Sequence, residues 1–322
     1  MQAMVAERYG GPEVMELREV AVPVIGPGEV LVAVKATTLQ ALDWHHLRGE
    51  PYFMRPEAGL RAPRRTIHGA DLAGVVEAVG AGVEDLVPGD NVFGWCDGGG
   101  LAELAAVPRE HLQRVPEGIS LDQAATAGVA AFTALQAVRD HGRVAVGARV
   151  LIVGASSGVG HFAVQIAKAS GAHVTGVCST HNLDMVRSVG ADAVMDRTAT
   201  DWTDAKEHWD VIIQVTGDVP YASARRVLTA DGRYVAAGAN AEGRWLGPAK
   251  VFLRLMVRAR FDKRIAVCRA QENAADLAVL RDMLEAGTLR PTIDRRFALA
   301  DAAEAMRYVE EGRASGKVVV TV

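Results

Sequence analysis

The strongest chemical signal in this 322-residue chain is a short glycine-rich turn between two apolar runs. Arg149–Val153 reads as a strand and leads into Gly154-Ala155-Ser156-Ser157-Gly158-Val159-Gly160. A helical pattern follows over 158–170, then a second apolar run, His173–Cys178. Glycines in such a turn let the backbone bend sharply and approach a pyrophosphate. The helix start behind them offers unpaired N–H groups and a partial positive charge. Ser156, Ser157, Gly158 and Val159 are therefore candidate phosphate-binding positions. A turn serving only helix-on-strand packing is the plainer alternative, and the strand–turn–helix–strand setting argues for a dinucleotide.

The end of the second strand bears on which dinucleotide. Binders of the non-phosphorylated form place an acid there for the ribose 2′-hydroxyl. Here the chain reads Cys178-Ser179-Thr180-His181-Asn182, with no acid before Asp184. Ser179 and Thr180 can hydrogen-bond a 2′-phosphate, with Arg187 or Arg197 adding a cation. The expected cofactor is NADPH. Capping of the following helix is the simpler role for Ser179 and Thr180, and the two roles are compatible.

These residues need an α/β frame. Residues 1–118 are Val-rich with partial period-2 alternation and turn signals at 26–29, 80–82 and 88–90, predicting a compact β-rich domain. From 119 to 269 apolar strands alternate with helices, predicting a doubly wound six-stranded parallel sheet. Its strands are expected at 149–153, 173–178, 193–195, 211–214, 233–236 and 265–267, after one long helix with Ser120 as N-cap. Residues 270–322 return to a mixed pattern and are expected to complete the first domain.

Composition excludes other classes. A net charge of −4 argues against a nucleic-acid partner. The three cysteines are far apart, so a reducing, cytoplasmic setting is expected. No secretory signal is evident at the start, and no apolar run is long enough to span a bilayer. Thirty-three glycines with only 5% aromatics fit a turn-rich layered protein.

Together, Pro27-Gly28-Glu29-Val30, GADLAGVVEAVGAGVEDLVPGDNVFG (69–94), GASSGVGHFAVQIAK (154–168) and the ending GKVVVTV resemble the medium-chain dehydrogenase/reductase superfamily. Within it the chain is most similar to the zinc-independent quinone oxidoreductase branch, including reticulon-4-interacting-protein-like members. The resemblance implies a GroES-like substrate domain built from both chain ends, a Rossmann domain between them, an active site in the cleft, and a homodimer. Zinc-bearing relatives take ligands from a Cys three residues before an Asp, a His in Gly-His-Glu, and a later Cys. Here those positions read Gln40 before Asp43, Ala70 in Gly69-Ala70-Asp71, and no cysteine in AATAGVAAFTAL. A catalytic zinc needs about three protein ligands, so no metal is expected.

The resemblance then implies hydride transfer to a quinone or an α,β-unsaturated carbonyl, whose oxygen takes up the developing charge. Gln40 stands where this branch usually has Asn, and Tyr52 matches a tyrosine lining the substrate cleft; these are the candidate catalytic residues. Asp43, Thr133, Arg197, Val215, Gly217, Gly238 and Lys317 carry over as cofactor-side positions. The bland alternatives are a helix cap near Trp44 for Asp43, loop packing for Tyr52, an i−4 helix bond for Thr133 and a solvated strand end for Lys317. Arg197 replaces a common tyrosine, exchanging stacking for charge. The basic stretch 250–264 is expected to be a helix covering the substrate cleft. Alternative functions are a zinc-free NADP-dependent alcohol dehydrogenase or carbonyl reductase, and a non-catalytic NADPH-binding regulatory protein.

Overall fold

The computed structural model describes residues 1–217, 219–239, 245, 247 and 249–322. The chain divides into two units. One comprises Met1–Val129, Glu272–Gly287 and Pro291–Val322, the other Ala130–Gln271 and Thr288–Arg290. Residues 119–129, with which the sequence reading begins the second domain, lie in the first unit.

The first unit opens with β1 (Gln2–Val5) and β2 (Glu16–Glu19), an antiparallel pair. Next come β3 (Glu29–Leu39), α1 (Ala41–Arg48), α2 (Arg55–Ala58), β4 (Asp71–Val79), β5 (Asn91–Trp95), β6 (Leu104–Pro108), β7 (Leu112–Arg114) and α3 (Leu121–Ala125). Alternate residues Val30, Val32, Val34 and Ala36 of β3 are buried, the period-2 pattern of a strand with one core face.

The second unit takes most of α4 (Val129–Gln136), then β8 (Arg149–Val153), α5 (Gly160–Ala169), β9 (His173–Cys178), α6 (Leu183–Ser188), β10 (Ala193–Asp196), β11 (Trp209–Gln214), α7 (Tyr221–Ala224), β12 (Leu228–Ala236), α8 (Ala249–Ala259) and β13 (Ile265–Val267). Its six strands pair in parallel in the order β10-β9-β8-β11-β12-β13. The order reverses between β8 and β11. In open parallel sheets that switch point is where ligands meet the carboxyl ends of strands. Val150–Val153 are buried without alternation because both faces of a parallel sheet are covered.

The chain returns to the first unit with α9 (Ala274–Glu285), β14 (Ile293–Ala298), α10 (Ala302–Glu310) and β15 (Lys317–Thr321). β15 pairs with β14 in parallel and with β3 antiparallel, completing a sheet in the order β14-β15-β3-β4-β5-β7, with β6 also on β3. This is the GroES-like sheet built from both chain ends.

The long helix expected after Ser120 is broken. Ser120 does cap α3, its hydroxyl accepting the Gln123 N–H. The chain then turns at 126–128 before α4, which ends in a π-helical stretch over Ala137–Gly142. Gly128 lies in that turn against Asp71, where a Cβ would come 2.1 Å from Asp71 Oδ1. The basic stretch forms α8, which buries Leu255 and packs Val251 and Phe252 on the core around Trp209 and Tyr234.

Gly160 is held by sterics. A Cβ on it would lie 2.0 Å from the Gly154 carbonyl oxygen, a backbone atom that cannot step aside. Gly160→Ala is expected to cost about 1–3 kcal/mol through overpacking. Urea unfolding checks this, and an unchanged midpoint would refute the close approach.

Candidate active site

In the first unit, strand register assembles a polar cluster. On β3 and β4, Thr38 sits opposite Asp71; on β15 and β3, Val318 sits opposite Leu39. Lys317, one step before Val318, therefore comes beside Gln40, one step after Leu39. Opposed residues on antiparallel strands share a face, so Thr38, Gln40, Asp71 and Lys317 converge.

Asp71 is fully buried and Lys317 only 2% exposed. Lys317 Nζ lies 3.3 Å from Asp71 Oδ2. The same carboxylate oxygen accepts the Thr38 hydroxyl at 2.7 Å, and Oδ1 accepts the Val129 N–H at 2.8 Å. Lys317 also donates to Gln40 Oε1 at 3.3 Å. Gln40 Nε2 is buried and has no hydrogen-bond partner among the described residues. The burial of Lys317 removes the solvated-strand-end alternative and turns its ammonium toward Asp71 and Gln40.

Asp43 is buried at the third position of α1, which starts at Ala41 rather than near Trp44. Its Oδ2 accepts the Gln40 N–H at 2.9 Å and its Oδ1 the Gly69 N–H at 3.1 Å. It thus ties α1 to the turn before β4; the N-cap is Gln40, and Asp43, inside the first turn, reaches back to the Gln40 N–H. Burial, then the Asp71 charge, push the Asp43 carboxyl from 3.8 up to about 7, against the pull of the two N–H groups and Lys317. Tyr52 sits in a 3₁₀ turn, its ring 4.4 Å from the Arg55 guanidinium, which also covers Tyr9. That stacking engages the ring face.

These donors do not fit a zinc ion. Among the described residues no three His, Cys, Asp or Glu side chains converge as a metal site. Cys96 donates its thiol to the Gly69 carbonyl, and burial pushes that thiol up to about 12. His68 is buried, and desolvation lowers it to about 4.

In the second unit the cofactor-side candidates gather at the carboxyl ends of β8, β9, β10, β11 and β12. Gly154 has φ +86, and a Cβ there would strike Thr216 Oγ1 at 2.2 Å. Gly154 and Ala155 N–H groups both donate to Val177 O, and Ser157 Oγ accepts the Gly160 N–H. Ser156, Ser157, Gly158 and Val159 therefore form the turn between β8 and α5. Val215 N–H donates to Val153 O, Gly238 N–H to Gln214 O, and a Cβ on Gly238 would lie 1.9 Å from Val215 O. Gly217, with φ +94, completes that crossing. Thr133 is half-buried on α4, its carbonyl facing the Cys268 thiol.

Arg197 Nε donates to Ser179 Oγ at 2.9 Å. Arg187 instead pairs with Asp184, leaving Arg197 as the cation joined to the end of β9. Two features escaped the sequence reading. Asn182 Nδ2 donates to Ser156 Oγ at 3.0 Å, tying the glycine turn to the segment after β9. Asp196 accepts the Thr180 hydroxyl at 2.7 Å and both the N–H and hydroxyl of Thr198. The Thr180 hydroxyl, led by that bond, and Thr198 hold the Asp196 carboxyl below its ordinary range. Asp196 is far from Thr180 in sequence, and only the parallel pairing of β10 with β9 brings them together.

Asp43 and His68 oppose each other in pH dependence. Folded Asp43 holds its proton up to about 7, so it contributes stability that is lost as pH rises from about 4 through 7. Folded His68 stays neutral down to about 4, so its contribution is lost as pH falls from 6.5 through 4. Relative to the parent chain, Asp43→Asn should gain stability with rising pH across that window, and His68→Gln should lose it. Urea midpoints from pH 4 to 7.5 check both; profiles parallel to the parent would contradict the assignments.

Comparison with known proteins agrees with this architecture. Residues 26–117 match the family model of the alcohol dehydrogenase GroES-like domain, and residues 189–320 match that of a zinc-binding dehydrogenase. A quinone oxidoreductase of Sus scrofa is 32% identical, over 99% of this chain and 97% of its own. An NADPH-dependent alkenal/one oxidoreductase of Arabidopsis thaliana is 31% identical, over 99% of this chain and 79% of its own. The solved quinone oxidoreductase of Coxiella burnetii superposes with TM-score 0.85 at 26% identity, over 100% of this chain and 99% of its own. With its GroES-like sheet, its doubly wound parallel sheet and relatives matching end to end, the chain belongs to the medium-chain dehydrogenase/reductase superfamily and is one of its NAD(P)H oxidoreductases.

Proposed function

We propose that the chain is a zinc-independent, NADPH-dependent reductase of quinones or α,β-unsaturated carbonyls. The observation that carries this is Gln40 Nε2, a buried donor without a partner at a position where zinc-bearing relatives place a metal ligand. A neutral amide donor steadies charge growing on a conjugated oxygen, as an oxyanion hole does.

Bound NADPH supplies the hydride. The backbone of Ser156–Val159 holds the pyrophosphate; Ser179 and Arg197 hold the 2′-phosphate, with Thr180 alongside. Gly217 and Gly238 leave room for close approach at the ends of β11 and β12, beside Val215 and Thr133. Gln40 takes the substrate oxygen, and a proton joins the product to balance the transferred hydride. The preference for the 2′-phosphate rests on Arg197, whose planar fork suits phosphate. The Asp196 charge, engaged by Thr180 and Thr198, works against it.

Arg197→Ala is expected to weaken NADPH binding roughly tenfold or more, the worth of one charge-assisted hydrogen bond, and to leave NADH binding unchanged. Asp196→Asn should tighten NADPH. Fluorescence titration of both nucleotides reads these effects, and a parent chain that binds NADH as tightly as NADPH would refute the preference. NADPH oxidation should be faster with 1,2-quinones and enones than with aldehydes and insensitive to a chelator. Chelator-sensitive turnover would sink the metal-free reading, and faster aldehyde reduction would favour a carbonyl reductase. Tight NADPH binding without turnover on any acceptor would favour a regulatory protein.

A further inference from the structure

A carboxamide has two ends of nearly equal shape, one accepting hydrogen bonds and the other donating, so its partners decide which end meets a ligand. At Gln40 that decision belongs to Lys317. An ammonium only donates, so the group 3.3 Å from it must be the amide oxygen, and Gln40 Oε1 is the atom found there. Lys317 cannot turn away, being 2% exposed and bound on its other side to the fully buried Asp71. Asp71 is itself fixed by the Thr38 hydroxyl and the Val129 N–H. The far end of the amide, Nε2, is then a buried donor with nothing to bond. Such a group carries an unrecovered desolvation cost until an acceptor arrives.

We propose that Lys317, clamped by Asp71, is a positioning residue that locks the Gln40 amide with Nε2 as donor to the carbonyl oxygen of the substrate. This rests on the reductase reading above. It gives the ammonium a role inside the first unit, through Gln40, in place of the cofactor contact that the resemblance implies. It also defines the substrate class at this atom. A carbonyl oxygen that gains negative charge during reduction fits the locked amide, whereas a free amide could present either end. No proton moves through Lys317 in this role; it sets orientation only.

The test pairs stability with kinetics on the full chain. Asp71→Asn with Lys317→Met removes both buried charges together and leaves no lone ion to unfold the protein. In the parent, Gln40→Glu should hold or raise the thermal midpoint, because the new carboxylate meets Lys317. In the Asp71→Asn/Lys317→Met background the same change should lower it by several degrees. This reading needs no substrate, and absence of that coupling would overturn the proposal.

With NADPH and a 1,2-quinone, Gln40→Leu and Asp71→Asn/Lys317→Met should each lower kcat/KM by at least about tenfold. The combined variant should be no worse than Gln40→Leu alone, because both act through one amide. Multiplying losses, or a loss of NADPH affinity in the Lys317 variant, would overturn the proposal and return Lys317 to the cofactor. Thermal coupling in a chain that reduces no quinone or enone would support the amide lock and refute the reductase reading.

Discussion

The buried ion pair between Asp71 and Lys317 constrains the first unit more than any other interaction. Two charges withdrawn from water are tolerated only when their remaining hydrogen-bonding capacity is met. Here the Thr38 hydroxyl, the Val129 N–H and the Gln40 amide oxygen meet it. Each comes from a different stretch of chain: the end of β3, the first residue of α4, and the residue before α1. Gly128 leaves room for the carboxylate against the turn at 126–128, which separates α3 from α4. The last strand of the chain must seat beside β3 in one register, or Lys317 would face the opposite side of the sheet.

The second unit is governed by close backbone approach. Gly154, Gly160 and Gly238 sit where a Cβ would strike a neighbouring backbone or side chain, and all three border the point where strand order reverses. The strand ends are pressed together there, leaving N–H groups and small side chains at the point where open parallel sheets bind ligands. At the ends of β9 and β10, opposing charges lie side by side. Arg197 reaches Ser179, while Asp196 takes the hydroxyl of Thr180. A cation and a carboxylate, neighbours in sequence, thus hold adjacent hydroxyls at the ends of these two strands.

Much of this was legible beforehand, for physical reasons. The strands Arg149–Val153, His173–Cys178 and Ile265–Val267 fall where apolar runs place them, because buried parallel strands admit little else. The glycine turn was legible because its spacing carries steric meaning. Roles that depend on distant partners were not. Asp196 reads as the end of a strand until parallel pairing delivers it to Thr180. Asn182 reads as a helix start until it reaches Ser156.

Local residue type, spacing and periodicity were enough to place most strands and the glycine turn between β8 and α5, and the motifs they form carried the resemblance to the family. Only tertiary structure decided the state of the polar side chains. Lys317 became a buried partner of Asp71 instead of a solvated strand end, Asp43 an acid lifted toward neutrality, and Gln40 an amide with a fixed donor end. The reason is that burial, register and the sign of a neighbouring charge are properties of residues far apart in the chain, and these set hydrogen-bond direction and proton affinity.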